Sequence, residues 1–343
     1  MSSPASEFRA SDVARALLAV PDDVPVEARH ILGDGRNSRI YRILSGGRSF
    51  ALKQYPSRQE DPRDRLGTEV GALRLMEQHG IENVPRVVGI DQERWCSLLS
   101  WIDGELIHEI GDADIDSAVE FLGAIHSLRH TTWAMAQPLA SEACFSGAEI
   151  ERQIVERLKR LQGLSGEPAL ADFIGSAFLP AFVRELSEAK RRAALYHFDF
   201  VVELSQAQRT LVPSDFGFHN SLRRPDGTLV FIDFEYFGWD DPVKLTADVI
   251  LHPGKNLAEM QRKRFRRLAL SLYENDHCFG PRLSAYLPLF GLRWVLILLN
   301  EFIPERWRRR VLAGESENWA AAKSRQLGRA VDFLMALPEK VED

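Results

Sequence analysis

Residues 213–242 read PSDFGFHNSLRRPDGTLVFIDFEYFGWDDP. Pro225-Asp226-Gly227 is a strong turn signal. The flanks Ser221–Arg224 and Thr228–Phe231 can pair about it as a hairpin. Antiparallel pairing then brings Asn220 beside Ile232 and Asp233. An amide and a carboxylate meet at the open end, and hard oxygen donors of this kind suit Mg²⁺. Asp215 lies five residues before Asn220, on the loop entering the hairpin. Glu235 follows Asp233 on the same strand face. Taken singly, Asp215 and Asn220 would be ordinary loop residues making Asx turns. A third carboxylate arriving where the pairing requires it favours a built site.

Outward from this stretch the chain changes character. Residues 10 to 20 suggest a short helix. Strand-like runs follow at Ala28–Leu32, Arg39–Leu44 and Arg48–Gln54, with Gly46-Gly47 as a turn. Leu66, Val70, Leu73 and Met76 recur at helical spacing within 62–79. Two further strand-like runs, Val84–Ile90 and Arg94–Trp101, complete a small antiparallel sheet with one helix. Helical patterns then dominate: 114–130, 147–163, 170–193, 256–275, 284–303 and 316–336. The fold class expected is α+β, with domains at 1–102 and 103–343.

The composition is that of a folded chain: 343 residues, 45% hydrophobic and 27% charged. A net charge of -6 gives no reason to expect nucleic acid. The basic runs Arg262–Arg267 and Arg306–Arg310 are therefore expected to be solvated helix faces. The apolar run Trp294–Leu299 is too short to cross a bilayer and is expected in a core helix. Cys96, Cys144 and Cys278 are scattered, without a C-x-x-C pair, so a reducing cytoplasm is the expected compartment. The N-terminal residues carry acids and only a weak apolar run, unlike a signal peptide.

The Asp215…Asn220…Asp233 spacing, with Ile232-Asp233-Phe234-Glu235-Tyr236, resembles the catalytic and metal loops of the aminoglycoside phosphotransferase and choline kinase-like families. The resemblance implies a two-lobed, protein-kinase-like fold. It makes Asp215 the catalytic base and Asn220 and Asp233 the Mg²⁺ ligands. It also implies ATP, or GTP in its place, as phosphoryl donor. The chain departs from the families at Pro213 and Ser214, where they carry His and Gly, and at Leu245, where an aspartate is usual; Asp248 is the stand-in for that aspartate.

Upstream residues fit the same pattern. Gly33, Gly35, Asn37 and Ser38 lie in a glycine-bearing turn suited to phosphate, although no P-loop G-K-[ST] follows. Phe50-Ala51-Leu52-Lys53 resembles the kinase strand whose lysine pairs with phosphates, and Glu69 is placed on the next helix to hold it. Ser100 and Ile102 match the hinge whose backbone meets adenine. His126, in a motif like L-x-x-L-H, is expected to pack in the core, and His219 on the loop. Glu235, Tyr236, Trp239 and Asp240 form an aromatic–acidic cluster suited to a cationic alcohol or a sugar. For Asp240 and Asp241 the structural alternative is an N-cap ahead of Pro242.

The implied function is transfer of a phosphoryl group to a hydroxyl of a small molecule: an amino alcohol, a sugar or an aminoglycoside-like compound. The acceptor is expected in the helical half, near 147–193 and 284–303. Two rivals are a nucleotide-binding pseudokinase with a regulatory or scaffold role, and a protein kinase. Retention of Lys53, Asp215 and Asp233 argues against the first. Absence of a D-F-G glycine and of an A-P-E element argues against the second.

Overall fold

The computed structural model describes residues 8–31, 38–59, 61–254, 257–312 and 318–337. By compactness the chain forms two units, one of residues 1–108 with 220–237 and one of 109–219 with 238–343. The hairpin after Asn220 belongs with the first unit, as does the chain as far as His108. Backbone pairing is the reason. The strand Glu105–Leu106 pairs with Ser221–Arg223, which pairs with Leu229–Phe231. The Phe231 N–H also donates to the Asn83 carbonyl, 2.9 Å away.

The first unit holds a five-stranded antiparallel sheet. Its strands are β1 (Val26–Ile31), β2 (Arg39–Ser45), β3 (Arg48–Gln54), β4 (Val87–Asp91) and β5 (Cys96–Ser100), in the order β1-β2-β3-β5-β4. Gly46 and Gly47 have φ of 55° and 73°, the left-handed pair that a two-residue hairpin needs. Ile43, Phe50, Leu52, Cys96 and Leu98 pack with Ala10, Val13 and Ala14 of the helix Ala10–Leu18. On the helix Arg65–Gln78, Leu66 and Val70 pack with Tyr55. β3 and this helix are what carry Lys53 and Glu69.

The second unit is mainly helical, and its centre is the helix Phe279–Leu298. This helix packs on Gly147–Gln162, Leu179–Leu195, Pro242–Leu251 and Trp319–Met335. With the turn that follows it, to Phe302, it is long and apolar enough to span a bilayer, but 78% of its most apolar window is buried in the protein. It is the core helix expected from Trp294–Leu299. The segment 170–193, expected as one helix, is broken by a π turn at Ile174–Phe178. Pro180 lacks the N–H that would continue an even α ladder there. Asp241 caps the helix Pro242–Leu251 by accepting from the Val243 N–H at 2.8 Å, with Pro242 in the first turn. The Arg262–Arg267 run is less free than expected, since Arg264 pairs with Asp116 at 2.6 Å.

His126 packs as expected, with Nδ1 2.8 Å from Thr210 Oγ1 and its ring edge-on to Tyr273. Burial, followed by the neighbouring Arg129 and His130, holds its pKa down from 6.5 to about 4. His252 is likewise held down to about 4, by burial and then by His219. In an unfolded chain both would titrate near 6.5. Between these values the unfolded state binds more protons, so stability is complete above pH 6.5 and is lost as pH falls toward 4. Each histidine contributes about 2–3 kcal/mol to this loss. The histidines should therefore lower the urea denaturation midpoint between pH 7 and pH 4.5, against the opposite contribution of Asp233 and Asp241, whose carboxyl pKa values burial raises to about 6. The drop should be smaller in His252→Phe; an equal drop in that variant would contradict the assignment.

Candidate active site

The first unit gathers a bonded set of charges around β3. Lys53 Nζ is 2.7 Å from Glu69 Oε2, 2.6 Å from Asp233 Oδ1 and 3.4 Å from Glu235 Oε2. Burial alone would lower the lysine pKa, but Asp233, Glu69 and Glu235 outweigh it and raise it, so the ammonium stays charged. Glu69 has its own partners. Oε2 also accepts from Tyr55 Oη at 2.8 Å, and Oε1 accepts from the Phe234 N–H at 3.2 Å. One glutamate thereby fixes both the lysine and the backbone next to Asp233.

That backbone is unusual. Asp233 has a φ of 69°, in the left-handed region that only glycine enters freely, though aspartate tolerates it better than most. It is bracketed on both sides: Ile232 N–H donates to the Asn220 carbonyl at 3.0 Å, and Phe234 N–H donates to Glu69. The hairpin register is the one expected, with Ser221 opposite Phe231 and Asn220 opposite Ile232. Burial, together with Glu235 and Glu69, raises the Asp233 pKa to about 6, with Lys53 opposing.

Glu69, Asp233 and Glu235 bring carboxylate oxygens within 4.8 Å of one another. These are hard donors that fit Mg²⁺, with no imidazole or thiolate in the trio. They are not equivalent. The Asp233 side chain is 35% exposed, whereas Glu69 and Glu235 are each 2% exposed. Asp233 is thus the carboxylate a metal can reach. Glu235, expected to line the acceptor site, instead accepts from Arg65 Nη1 at 2.6 Å and from Ser38 Oγ at 2.8 Å. Although burial would raise its pKa, Lys53 and Arg65 keep it low. Tyr236 lies 5.0 Å from both the Arg63 and the Arg65 guanidinium groups, as a packing face for cations of the protein itself.

Gly33, Gly35 and Asn37 lie outside the described residues. Ser100 ends β5, and its N–H donates to the Arg86 carbonyl at 2.8 Å. Ile102 follows in the irregular segment after β5, half-buried.

The second unit holds Asp215, whose side chain is 44% exposed. Its Oδ1 is 3.1 Å from His219 Nε2 and 3.9 Å from His252 Nε2. The turn is tight: Ser214 has a φ of 70°, and the Asp215 N–H reaches back to the Pro213 carbonyl at 3.0 Å. Trp239 and Asp240, expected to line an acceptor pocket, are buried with partners of their own. Trp239 Nε1 donates to the Ala134 carbonyl at 2.8 Å. Asp240 accepts from Lys244 Nζ and from the Cys144 N–H, both at 2.8 Å. Asp248 lies 3.4 Å from the same lysine and accepts from Trp294 Nε1 at 2.9 Å. Removing one partner of such a buried pair costs about 3–5 kcal/mol. Asp240→Ala should accordingly lower stability by that order in urea denaturation. An altered acceptor KM with unchanged stability would restore Asp240 to the binding surface.

Arg65 and His252 were not anticipated from the sequence. Arg65 stands four residues before Glu69, hence on the same helix face, and that spacing was the available signal. His252 follows the last turn of its helix, where nothing in the local pattern marks it.

Comparison with known proteins agrees with this geometry. The model of the phosphotransferase enzyme family matches residues 27–252. No curated protein matches the chain by sequence. Among solved structures, choline kinase LicA from Streptococcus pneumoniae is similar at 17% identity, over 95% of this chain and 98% of that one, with a TM-score of 0.57. Spectinomycin phosphotransferase APH(9)-Ia, solved with ADP and spectinomycin, gives 12% identity, 93% and 99% coverage and a TM-score of 0.61. The ethanolamine kinase of Plasmodium vivax gives 10% identity, 89% and 82% coverage and a TM-score of 0.56. The protein-kinase-like fold expected from the sequence is the one these share. Since the family match takes in Lys53, Glu69, Asp215 and the whole hairpin 220–237, the chain belongs to the phosphotransferase enzyme family.

Proposed function

We propose that the protein transfers the terminal phosphoryl group of ATP, or of GTP in its place, to a hydroxyl of a small molecule, with Mg²⁺. The observation that carries this is the Lys53–Glu69–Asp233 set, with Lys53 kept cationic and its two partners at 2.7 and 2.6 Å. In this reading Lys53 neutralises phosphate charge. Asp233 and Asn220 would hold Mg²⁺, which supplies further neutralisation of the phosphates when bound. Glu69 and Glu235 set the lysine rather than meeting a ligand themselves. Asp215 accepts the acceptor hydroxyl's proton, and its exposed carboxylate suits that task. Gly33, Gly35, Asn37 and Ser38, with Ser100 and Ile102, remain the proposed nucleotide contacts. Ser38 Oγ also donates to Glu235 Oε2.

The acceptor class is an amino alcohol, sugar or aminoglycoside-like compound. This agrees with what the structurally similar choline, ethanolamine and spectinomycin enzymes are named for. Nucleotide consumption, measured against a panel of amino alcohols, sugars and aminoglycosides, tests the proposal. A member that raises ADP formation and gains phosphate supports it. If no hydroxyl compound is phosphorylated while ATP binds, the pseudokinase alternative takes its place.

A further inference from the structure

We propose that His219, clamped by a face-to-face stack with His252, positions the Asp215 carboxylate for proton acceptance. The inference rests on Asp215 being the base. The two imidazoles lie with centroids 4.0 Å apart and planes 5° from parallel. On its other side His252 meets Trp294 edge-on at 5.0 Å. Trp294 is itself tied by its Nε1–H to Asp248 at 2.9 Å, and Asp248 neighbours Lys244 and Arg293. The clamp is thus anchored in the buried charges of the helical unit.

Of the two histidines, His219 is the one in hydrogen-bond range of Asp215, 3.1 Å against 3.9 Å for His252. Its other nitrogen, Nδ1, is buried with no hydrogen-bond partner. A Cβ at residue 217 would lie 2.9 Å from that Nδ1, so Gly217 lets the loop close against the ring. A buried unpaired N–H is costly, whereas an unpaired lone pair is tolerated more cheaply. The proton therefore sits on Nε2 and is donated to Asp215 Oδ1. That bond favours one orientation of the carboxylate.

Asp215, His219 and His252 bring ligand atoms within 4.8 Å of one another, but the parallel rings do not suit a shared ion. An ion about 2 Å from both Nε2 atoms would lie well out of both ring planes, off the nitrogen lone pairs.

The test compares His219→Gln, which keeps an N–H donor at similar reach, with His219→Leu, which removes it. The probe is Mg·ATP with water as acceptor, followed by ADP release. His219→Leu should lower kcat by about 10²-fold with the ATP KM within about twofold, and His219→Gln should recover most of the loss. In ¹⁵N-histidine spectra, His219 should show the Nε2–H tautomer, and its Nε2 signal should move in Asp215→Ala. Equal kcat for the Gln and Leu variants, or an Nδ1–H tautomer, overturns the proposal. If Asp215→Asn leaves the rate unchanged, the base assignment fails instead. The tautomer and its response to Asp215→Ala then still decide whether His219 holds this carboxylate.

Discussion

Asp215→Asn is expected to lower turnover by about 10²- to 10⁴-fold while nucleotide binding is retained. The amide cannot take the proton that the attacking hydroxyl must lose, yet it has nearly the shape of the acid. Lys53, Glu69 and Asp233 belong to the other compact unit and keep their bonds. Steady-state kinetics with the acceptor found in the panel, alongside a titration with a fluorescent nucleotide, separates the two effects. A kcat within threefold of wild type would remove Asp215 from the chemistry. Loss of nucleotide affinity together with kcat would show that the substitution disturbs the fold.

Asp233→Ala is expected to abolish Mg²⁺-dependent nucleotide binding, with Asn220→Ala weakening it less. A carboxylate brings a full charge to the ion and an amide only a dipole. The cost extends beyond the metal. Asp233 supplies the 2.6 Å partner of Lys53, and alanine lacks aspartate's tolerance for a φ of 69°. Titrating Mg²⁺ at fixed ATP, with denaturation curves in parallel, distinguishes loss of metal from loss of structure. An unchanged Mg²⁺ midpoint would mean that the hairpin does not bind the ion.

Much of this site was legible in the chain because its determinants are local. Asn220 meets Ile232 through a turn that Pro225-Asp226-Gly227 specifies, and the pairing follows from counting residues. Lys53 and Glu69 were legible as a strand followed by a helix. The misplacements concern side chains whose partners are far away in sequence. Glu235 looked like a ligand because the sequence suggested one strand face shared with Asp233, but the strand ends at Phe231, and Arg65 and Ser38, 170 and 197 residues away, claim the carboxylate. Trp239 and Asp240 looked like a recognition cluster, but Ala134 and Cys144 satisfy them from about 100 residues upstream. His252 joins His219 only once the helix Pro242–Leu251 has folded against its neighbours. Periodicity and spacing carry no record of such pairings.

The hairpin 220–237 completes a unit whose other part ends at residue 108. The gene order therefore imposes a delay on synthesis. When residue 108 leaves the ribosome, Arg65 and Lys53 have emerged, but Glu235 and Asp233 have not been made. The strand Glu105–Leu106 also waits for its partner. At the usual pace of translation the missing residues arrive on the order of ten seconds later. Until then Lys53 keeps only Glu69 and Arg65 only Asp61 as counter-charges, and Glu105–Leu106, which belongs to a separate sheet, has no partner strand. The first unit can therefore be completed only after residue 237 has emerged.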